Sequence, residues 1–238
     1  MTNQKKKTIQ TYKQKDVVEM FDKERNKYAF QKYKHKIEAN FLKKTIASLK
    51  QDKIKILDVA CGTGRMLLEV FSIGKEIEYA GLDTSKEMIS ILKKRAEKLG
   101  IKKKVKIKIG DATKMPFKDN SFDVVYSFHL LWHLPEEDQE KIIKEMLRVC
   151  KKDGFIVFDV LNENFIWEKI KRKKTEEIYK LQIDHVKGII GDRKIEIEKL
   201  NDFPVKNSFF YGILNIMNDL RVFLPQYLYH MLFFRVRK

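Results

Sequence analysis

Apolar residues between Tyr12 and Leu49 recur at helical spacing: Val17, Val18 and Phe21, then Tyr28, Phe30 and Tyr33, then Ile37, Phe41, Leu42, Ile46 and Leu49. No glycine or proline interrupts them, and the pattern predicts two helices with a break near Arg25–Asn26, behind a polar tail over residues 1–10. From Lys53 the pattern shortens. KIKILDVA (Lys53–Ala60) reads as a strand that closes at a glycine turn, and Gly64 to Ile73 as a helix. IEYAGLD (Ile77–Asp83), VKIKIGD (Val105–Asp111), FDVVYSF (Phe122–Phe128) and FIVFDV (Phe155–Val160) read as further strands. Thr84 or Ser85 can cap a helix that Gly100 stops, another runs from about Glu136 to Cys150, and Asp153–Gly154 turns the chain into the fifth strand. Strands alternating with helices predict a doubly wound, mostly parallel α/β sheet. Beyond Leu161 a helix is expected over 163–182, a weak strand over Lys194–Asn201 and an apolar helix from Gly212 to Phe234 broken by Pro225. The chain divides into a tail and helical lid (1–52), a core (53–161) and a C-terminal part (162–238).

Charge adds a question to this outline. The 238 residues carry a net charge of +17. Residues 1–53 hold 15 basic and 6 acidic side chains, residues 54–161 hold 20 and 17, and residues 162–238 hold 15 and 10, so the core is nearly balanced and the flanks are basic. Such flanks suit nucleic acid, anionic lipid or an acidic substrate, and equally a general lysine bias, since the lysines are scattered. Cys61 and Cys150 are too few for a disulfide framework and lack metal-ligand spacing, so no metal is expected and a reducing, cytoplasmic setting fits. The first ten residues contain no apolar signal segment, no uncharged apolar run reaches spanning length, and no internal repeat occurs.

The candidate chemistry sits in ILDVACGTGRM, Ile56 to Met66. In an open α/β sheet ligands bind beyond the carboxyl ends of the strands, where the strand order reverses, so the first βα turn overlies the site. Gly62 and Gly64 allow a positive φ and close approach of a ligand. A phosphate loop needs Lys and Ser or Thr after its last glycine, whereas Arg65 and Met66 follow Gly64; a dinucleotide fingerprint lacks its third glycine. Asp58 precedes the turn, Asp83 ends the second strand and can accept both ribose hydroxyls, and Asp111 ends the third strand, where an adenine edge would lie. Three acids at successive strand ends suit an adenosine ligand without phosphate, which can be cationic.

These residues resemble class I S-adenosylmethionine-dependent methyltransferases, in the branch of the ubiquinone and menaquinone C-methyltransferases and many small-molecule enzymes. LDVACGTGR is similar to the family's first motif, GLDTSKEM to the second and GDATKMPFKDNSFDVVYSFHLLWHL to the third and fourth; the turn from Arg148 to Gly154 completes the set, in family order over residues 54–161. The resemblance implies a Rossmann-like sheet of about seven strands with a helical N-terminal lid, bearing Tyr12, Phe21 and Tyr28, and a helical C-terminal extension. It implies S-adenosyl-L-methionine as cofactor: Asp58, Ala60, Cys61, Gly62 and Gly64 on its methionine half, Asp83 on the ribose, Thr84 and Met88 beside the adenine, Asp111 and Ala112 at the adenine, and Ser127 or Phe128 closing the pocket.

Methyl transfer from a sulfonium is an in-line displacement in which alignment does much of the work, and a base helps only where the nucleophile must lose a proton. His129 and His133 lie four apart, so on a helix they share one face; with Asp159, at the end of the fifth strand, they are the candidate bases. Trp132 could stack on a planar acceptor. Residues 212–238 end in Arg235, Arg237 and Lys238, so an amphipathic helix there could rest on an anionic leaflet at the inner face of the membrane or pack on the domain. The expected acceptor is therefore a small or lipophilic molecule. An RNA or protein methyltransferase is the alternative that the charge favours, although no RNA-binding module and no Asn/Asp-Pro-Pro-Tyr motif follows the fourth strand, and a non-catalytic S-adenosylmethionine-binding protein is the third reading.

Overall fold

The computed structural model describes residues 29–162, 183–200 and 231–238. Tyr12, Phe21 and Tyr28, the helix expected over 163–182 and most of the apolar stretch from Gly212 lie outside the described residues.

Seven strands form one sheet: β1 (Lys53–Val59), β2 (Glu76–Asp83), β3 (Val105–Ile109), β4 (Phe122–Ser127), β5 (Cys150–Leu161), β6 (Ile195–Leu200) and β7 (Met231–Arg237). Their order is β3-β2-β1-β4-β5-β7-β6. The pairs among β1 to β5 are parallel, and β7 runs antiparallel between β5 and β6. The order reverses between β1 and β4, where a doubly wound sheet opens a crevice. β4 is buried along its whole length, as expected of a central strand covered on both faces.

Five helices flank the sheet among the described residues: α1 (Ala29–Ala47), α2 (Leu67–Phe71), α3 (Lys86–Lys98), α4 (Glu136–Val149) and α5 (Ile183–Ile190). One core layer joins Ile37, Phe41, Leu42 and Ile46 of α1 and Leu92 of α3 to Ile54, Ile56 and Tyr79 on the sheet. The opposite layer joins Ile142, Ile143 and Met146 of α4 and Val186 and Ile190 of α5 to Leu57, Val125 and Phe158. Ser85 caps α3, its Oγ accepting from the Met88 amide at 3.1 Å. Glu136, Glu137 and Asp138 in the first turn of α4 complement the positive end of its dipole.

Two expectations are corrected at the C-terminal side of the sheet. Asp153–Gly154 does not precede β5 but lies inside it, as an irregularity where the pairing with β4 shifts between Phe122 and Val124. Asp153 carries the positive φ of 64°, and a Cβ at Gly154 would sit 2.7 Å from the Asp123 carbonyl, so the strand bends without ending. The expected C-terminal helix is, over Met231–Arg237, the strand β7. A short apolar run reads equally as helix or central strand, and here Phe234 stacks on Phe158 with ring centroids 5.2 Å apart. The basic end is engaged in the sheet: Arg235 pairs with Glu196, Arg237 with Asp153, and Lys238 Nζ donates to Asn120 Oδ1 and the Cys150 carbonyl, each at 2.8 Å. Among the described residues no helix is long and apolar enough to cross a membrane.

Candidate active site

The turn after β1 holds three left-handed residues close together: Ala60 (φ 60°), Gly62 (53°) and Gly64 (74°). The two glycines serve different ends. A Cβ at Gly64 would meet Leu92 Cγ at 2.7 Å, so this glycine lets α3 close against the turn. A Cβ at Gly62 would enter open space, and Gly62 lines a cavity above the β1–β4 crevice. The Gly62 amide donates to Asp83 Oδ2 at 2.8 Å, while Asp83 Oδ1 accepts from the Ser85 amide at 2.9 Å. The same carboxylate thus pins the glycine turn to the end of β2. Burial raises the Asp83 carboxyl above its ordinary range, and the two amides oppose that rise.

The structure brings together nearly every residue expected at a cofactor site. Asp58, Ala60, Cys61, Gly62, Asp83, Thr84, Met88, Asp111, Ala112 and Phe128 border this one cavity, with both His129 and His133 at its wall. Gly64 stands behind the turn rather than in the lining. Asp111 also holds its own loop, its Oδ1 accepting from the Thr113 amide and hydroxyl, each at 2.9 Å. Cys61 packs over β2 at the side where a Cβ on Gly81 would touch its sulfur at 2.9 Å, and burial pushes its thiol far up, so it stays protonated.

Asp58 is buried behind the turn. Its Oδ2 accepts from Tyr79 at 2.7 Å and from Tyr126 at 2.6 Å, yet burial dominates and pushes its carboxyl up to about 7. Neither tyrosine stands out in the sequence, although both lie on strands that flank Asp58 and are opposite or near it in register.

Three expectations about the chemistry change. Ser127 is absent from the cavity wall, because its hydroxyl donates across the sheet to the Val59 carbonyl at 3.0 Å and ties β4 to β1. His129 and His133 do not share a helical face: His129 precedes a short 3-10 turn (Leu131–His133) and has a positive φ of 64°. Asp159 borders neither the first cavity nor its neighbour; its Oδ1 accepts from the His129 amide at 2.8 Å and so holds that strained residue in place. Burial pushes the Asp159 carboxyl up to about 7. Trp132 wedges between the imidazoles, with ring centroids 5.2 Å from His129 and 5.7 Å from His133, and carries Lys34 over its face at 4.2 Å.

The functional residue that sequence reasoning misses is Glu38. Its side chain is wholly buried and accepts from Arg65, while His129 Nε2 lies 2.5 Å from its Oε1. Burial would raise the Glu38 carboxyl, but Arg65 and His129 outweigh it and hold the group well below the usual range. His129 is pushed well below its ordinary value, mainly by burial, so the ring is neutral. With Nε2–H donating to Glu38, Nδ1 is the basic nitrogen. An acid between Ile37 and Phe41, on the buried face of a helix, is the signal available in the sequence. Glu38, His129 and Asp159 bring donor atoms within 4.8 Å of one another, a set that could hold a cation; Arg65, bonded to Glu38, supplies positive charge there.

A family model described as a methyltransferase domain matches residues 50–228. The chain is 33% identical over 114 residues to a sterol 4-C-methyltransferase of Caenorhabditis elegans, covering 48% of this chain and 33% of that protein. It is 34% identical over 99 residues to a demethylmenaquinone methyltransferase of Lactobacillus johnsonii, covering 41% and 40%. The matched stretch thus spans between a third and two fifths of these curated relatives. A magnesium protoporphyrin IX methyltransferase from Synechocystis, solved with bound SAH, superposes with a TM-score of 0.63 at 13% identity, over 87% of this chain and 84% of that one, which shows the shared fold.

Proposed function

The chain belongs to the methyltransferase-domain family, and we propose that it transfers a methyl group from S-adenosylmethionine to a small or lipophilic acceptor. The observation that carries this reading is the cavity over the β1–β4 crevice, where the glycine turn, Asp83 and the Asp111–Ala112 pair converge from three adjacent strand ends. The residues fit the cofactor. Open space at Gly62 admits a ligand against the backbone, Asp83 and Asp111 offer carboxylate oxygens for hydroxyl and amino hydrogens, and Met88, Leu82, Leu134 and Ile142 form an apolar slot suited to a purine. S-adenosylmethionine, when bound, supplies a methyl group on a sulfonium, already activated for displacement.

The chain's own part is to bind, orient and handle a proton. Gly62, pinned by Asp83, holds one wall; Asp58, near the midpoint of its titration at neutral pH, favours a cationic ligand beside it. His129 is neutral, oriented by Glu38 through Nε2 and by Asp159 through its amide, and it lines this cavity and the next. It is the candidate to take a proton from the acceptor, with His133 at the same wall of the first cavity. The relatives act, by name, on a sterol and on demethylmenaquinone, which favours a lipophilic acceptor here.

A reducing, cytoplasmic setting agrees with Cys61 and Cys150, both buried free thiols. A peripheral contact with an anionic leaflet rests on residues 212–230, since the basic end beyond them is engaged in β7. The test uses S-adenosylmethionine labelled in its methyl group, incubated with the protein and a crude extract that is then divided into organic, small polar, nucleic-acid and protein fractions. Label in the organic or small polar fraction is expected. Label confined to nucleic acid or protein, or no transfer to any fraction, overturns the reading.

A further inference from the structure

Beside the first cavity lies a second, of about 500 Å³, between α1, α2 and α3. Its size suits a metabolite rather than a few waters. Arg65 and His129 line both cavities, so a molecule in the second can reach the residues that border the first. The proposed function leaves this space without an occupant.

Its walls are chemically distinct from those of the first cavity. Five cationic side chains line it: Lys32 and Lys34 from α1, Arg65 from the glycine turn, and Arg95 and Lys98 from α3. Among the described residues the only carboxylate in the lining is Glu38, which Arg65 and His129 already engage. His35, also at the wall, accepts a hydrogen bond from Arg65 on Nδ1 at 2.7 Å and faces Glu69 through Nε2 at 3.4 Å, the arrangement of a neutral ring. Burial lowers its pKa in the same sense. Among the described residues the lining thus sets five cations against one carboxylate, within walls that partly exclude water, where charge acts more strongly than on an open surface.

It is also greasy in two places. Leu68 is 60% exposed and Leu99 38% exposed, and both line this cavity; among the described residues Ile109 is the third large hydrophobic side chain left so open. Exposed leucines framed by cations form a surface complementary to an apolar body with an acidic group.

We propose that this second cavity is the acceptor site and that the acceptor is an amphiphilic anion, an apolar molecule bearing a carboxylate or phosphate. The inference rests on the methyltransferase reading of the first cavity. Cations hold the acidic group, Leu68 and Leu99 cover the apolar body, and the end beside Arg65 and His129 presents the nucleophilic atom toward the first cavity. A scattered lysine bias does not account for this lining, because it draws cations from three separate elements onto one concave surface that also holds two bare leucines.

The test measures calorimetric binding of octanoate and octyl phosphate, with octanol as the neutral control, to the full chain below the micellar range. Both anions are expected to bind about tenfold or more tightly than octanol, and the tighter of the two identifies the acidic group. The double variant Lys32→Glu/Lys98→Glu, at two exposed helix positions, is expected to lose about tenfold or more of the anion affinity. The equally charged control Lys118→Glu/Lys152→Glu, outside the cavity, is expected to keep it. Octanol binding as tightly as the anions, or equal loss in both variants, overturns the proposal. S-adenosylhomocysteine is titrated into the same samples: its retained affinity alongside failed anion binding refutes this inference alone, whereas its failure in the unaltered protein refutes the reading of the first cavity.

Discussion

Replacing Asp58 by asparagine is expected to flatten part of the protein's pH dependence of stability, by an amount that follows from the site. Both tyrosine hydroxyls donate to the same oxygen of Asp58, Oδ2, so an amide oxygen can accept both in its place. What the amide cannot do is ionise. In the folded protein the Asp58 carboxyl titrates at about 7, while in the unfolded chain it returns to its ordinary 3.8. Between pH 5 and pH 7 the folded state therefore holds a proton that the unfolded state has released, and stability falls as pH rises, by about 1.36 kcal/mol per unit. Because the slope halves at the folded value itself, the loss over that window is roughly 2.3 kcal/mol, and it fades out within about one pH unit above that value. The Asp58→Asn protein has no such loss. Chemical unfolding of both proteins at pH 5, 6, 7 and 8 should show the stability difference shifting by about 2–3 kcal/mol in favour of Asp58→Asn, almost all of it below pH 7.5. Asp159, also raised to about 7, contributes equally to both proteins and cancels in the difference. A stability difference that stays constant across the series would refute the claim that the buried carboxyl is neutral in the folded state at pH 5 to 6.

The two glycines of the turn should separate by assay. Gly64→Ala brings a Cβ to 2.7 Å from Leu92 and should cost about 2–4 kcal/mol in denaturant unfolding, whereas Gly62→Ala, strained only in φ, should cost about 1 kcal/mol but weaken S-adenosylhomocysteine binding about tenfold or more in calorimetry. Asp83→Asn keeps one accepting oxygen but sets its side-chain NH2 against either the Gly62 or the Ser85 amide and loses the charge, so cofactor affinity should fall by about 1.5–3 kcal/mol; an unchanged dissociation constant would remove Asp83 from the ribose. His129→Gln should lower methyl transfer about a hundredfold with S-adenosylhomocysteine affinity unchanged, and full activity would exclude it as the proton acceptor.

The outline of the sheet is legible in the sequence because each of its parallel strands declares itself locally. FDVVYS is a continuous β-rich run, and a central strand covered on both faces needs nothing else. The helix α3 announces itself by Ser85 at its start and Gly100 beyond its end. Met231 to Phe234 misleads for a physical reason. A run of four apolar residues has no period to distinguish, and β7 gains its identity from β5 and β6, which precede it by about thirty residues or more and enclose it on both sides. The bulge at Asp153 reads as a turn because a residue of positive φ followed by glycine serves either purpose; only the partner strand decides.

The two cavities divide along the same line. The first is assembled from turns that directly follow β1, β2 and β3, so spacing within each motif reports the wall it builds, and Asp83 can be assigned without knowing what lies across from it. The second has no motif. Glu38 and Arg65 stand 27 residues apart, and Glu38 and His129 stand 91 apart. In the sequence Glu38 is one acid in a lysine-rich helix; in the fold it is a wholly buried charge that sets the orientation of an imidazole and the position of a guanidinium. That difference has a chemical basis. A cofactor shared by many enzymes fixes the atoms that meet it, and those atoms lie on contiguous chain. An acceptor fixes only the charge and shape of a hollow, which lysines and leucines from several elements can supply in many ways. The lysine excess that looks like compositional bias on the chain thus becomes, for Lys32, Lys34 and Lys98 at least, a directional field over the place where an acceptor must enter.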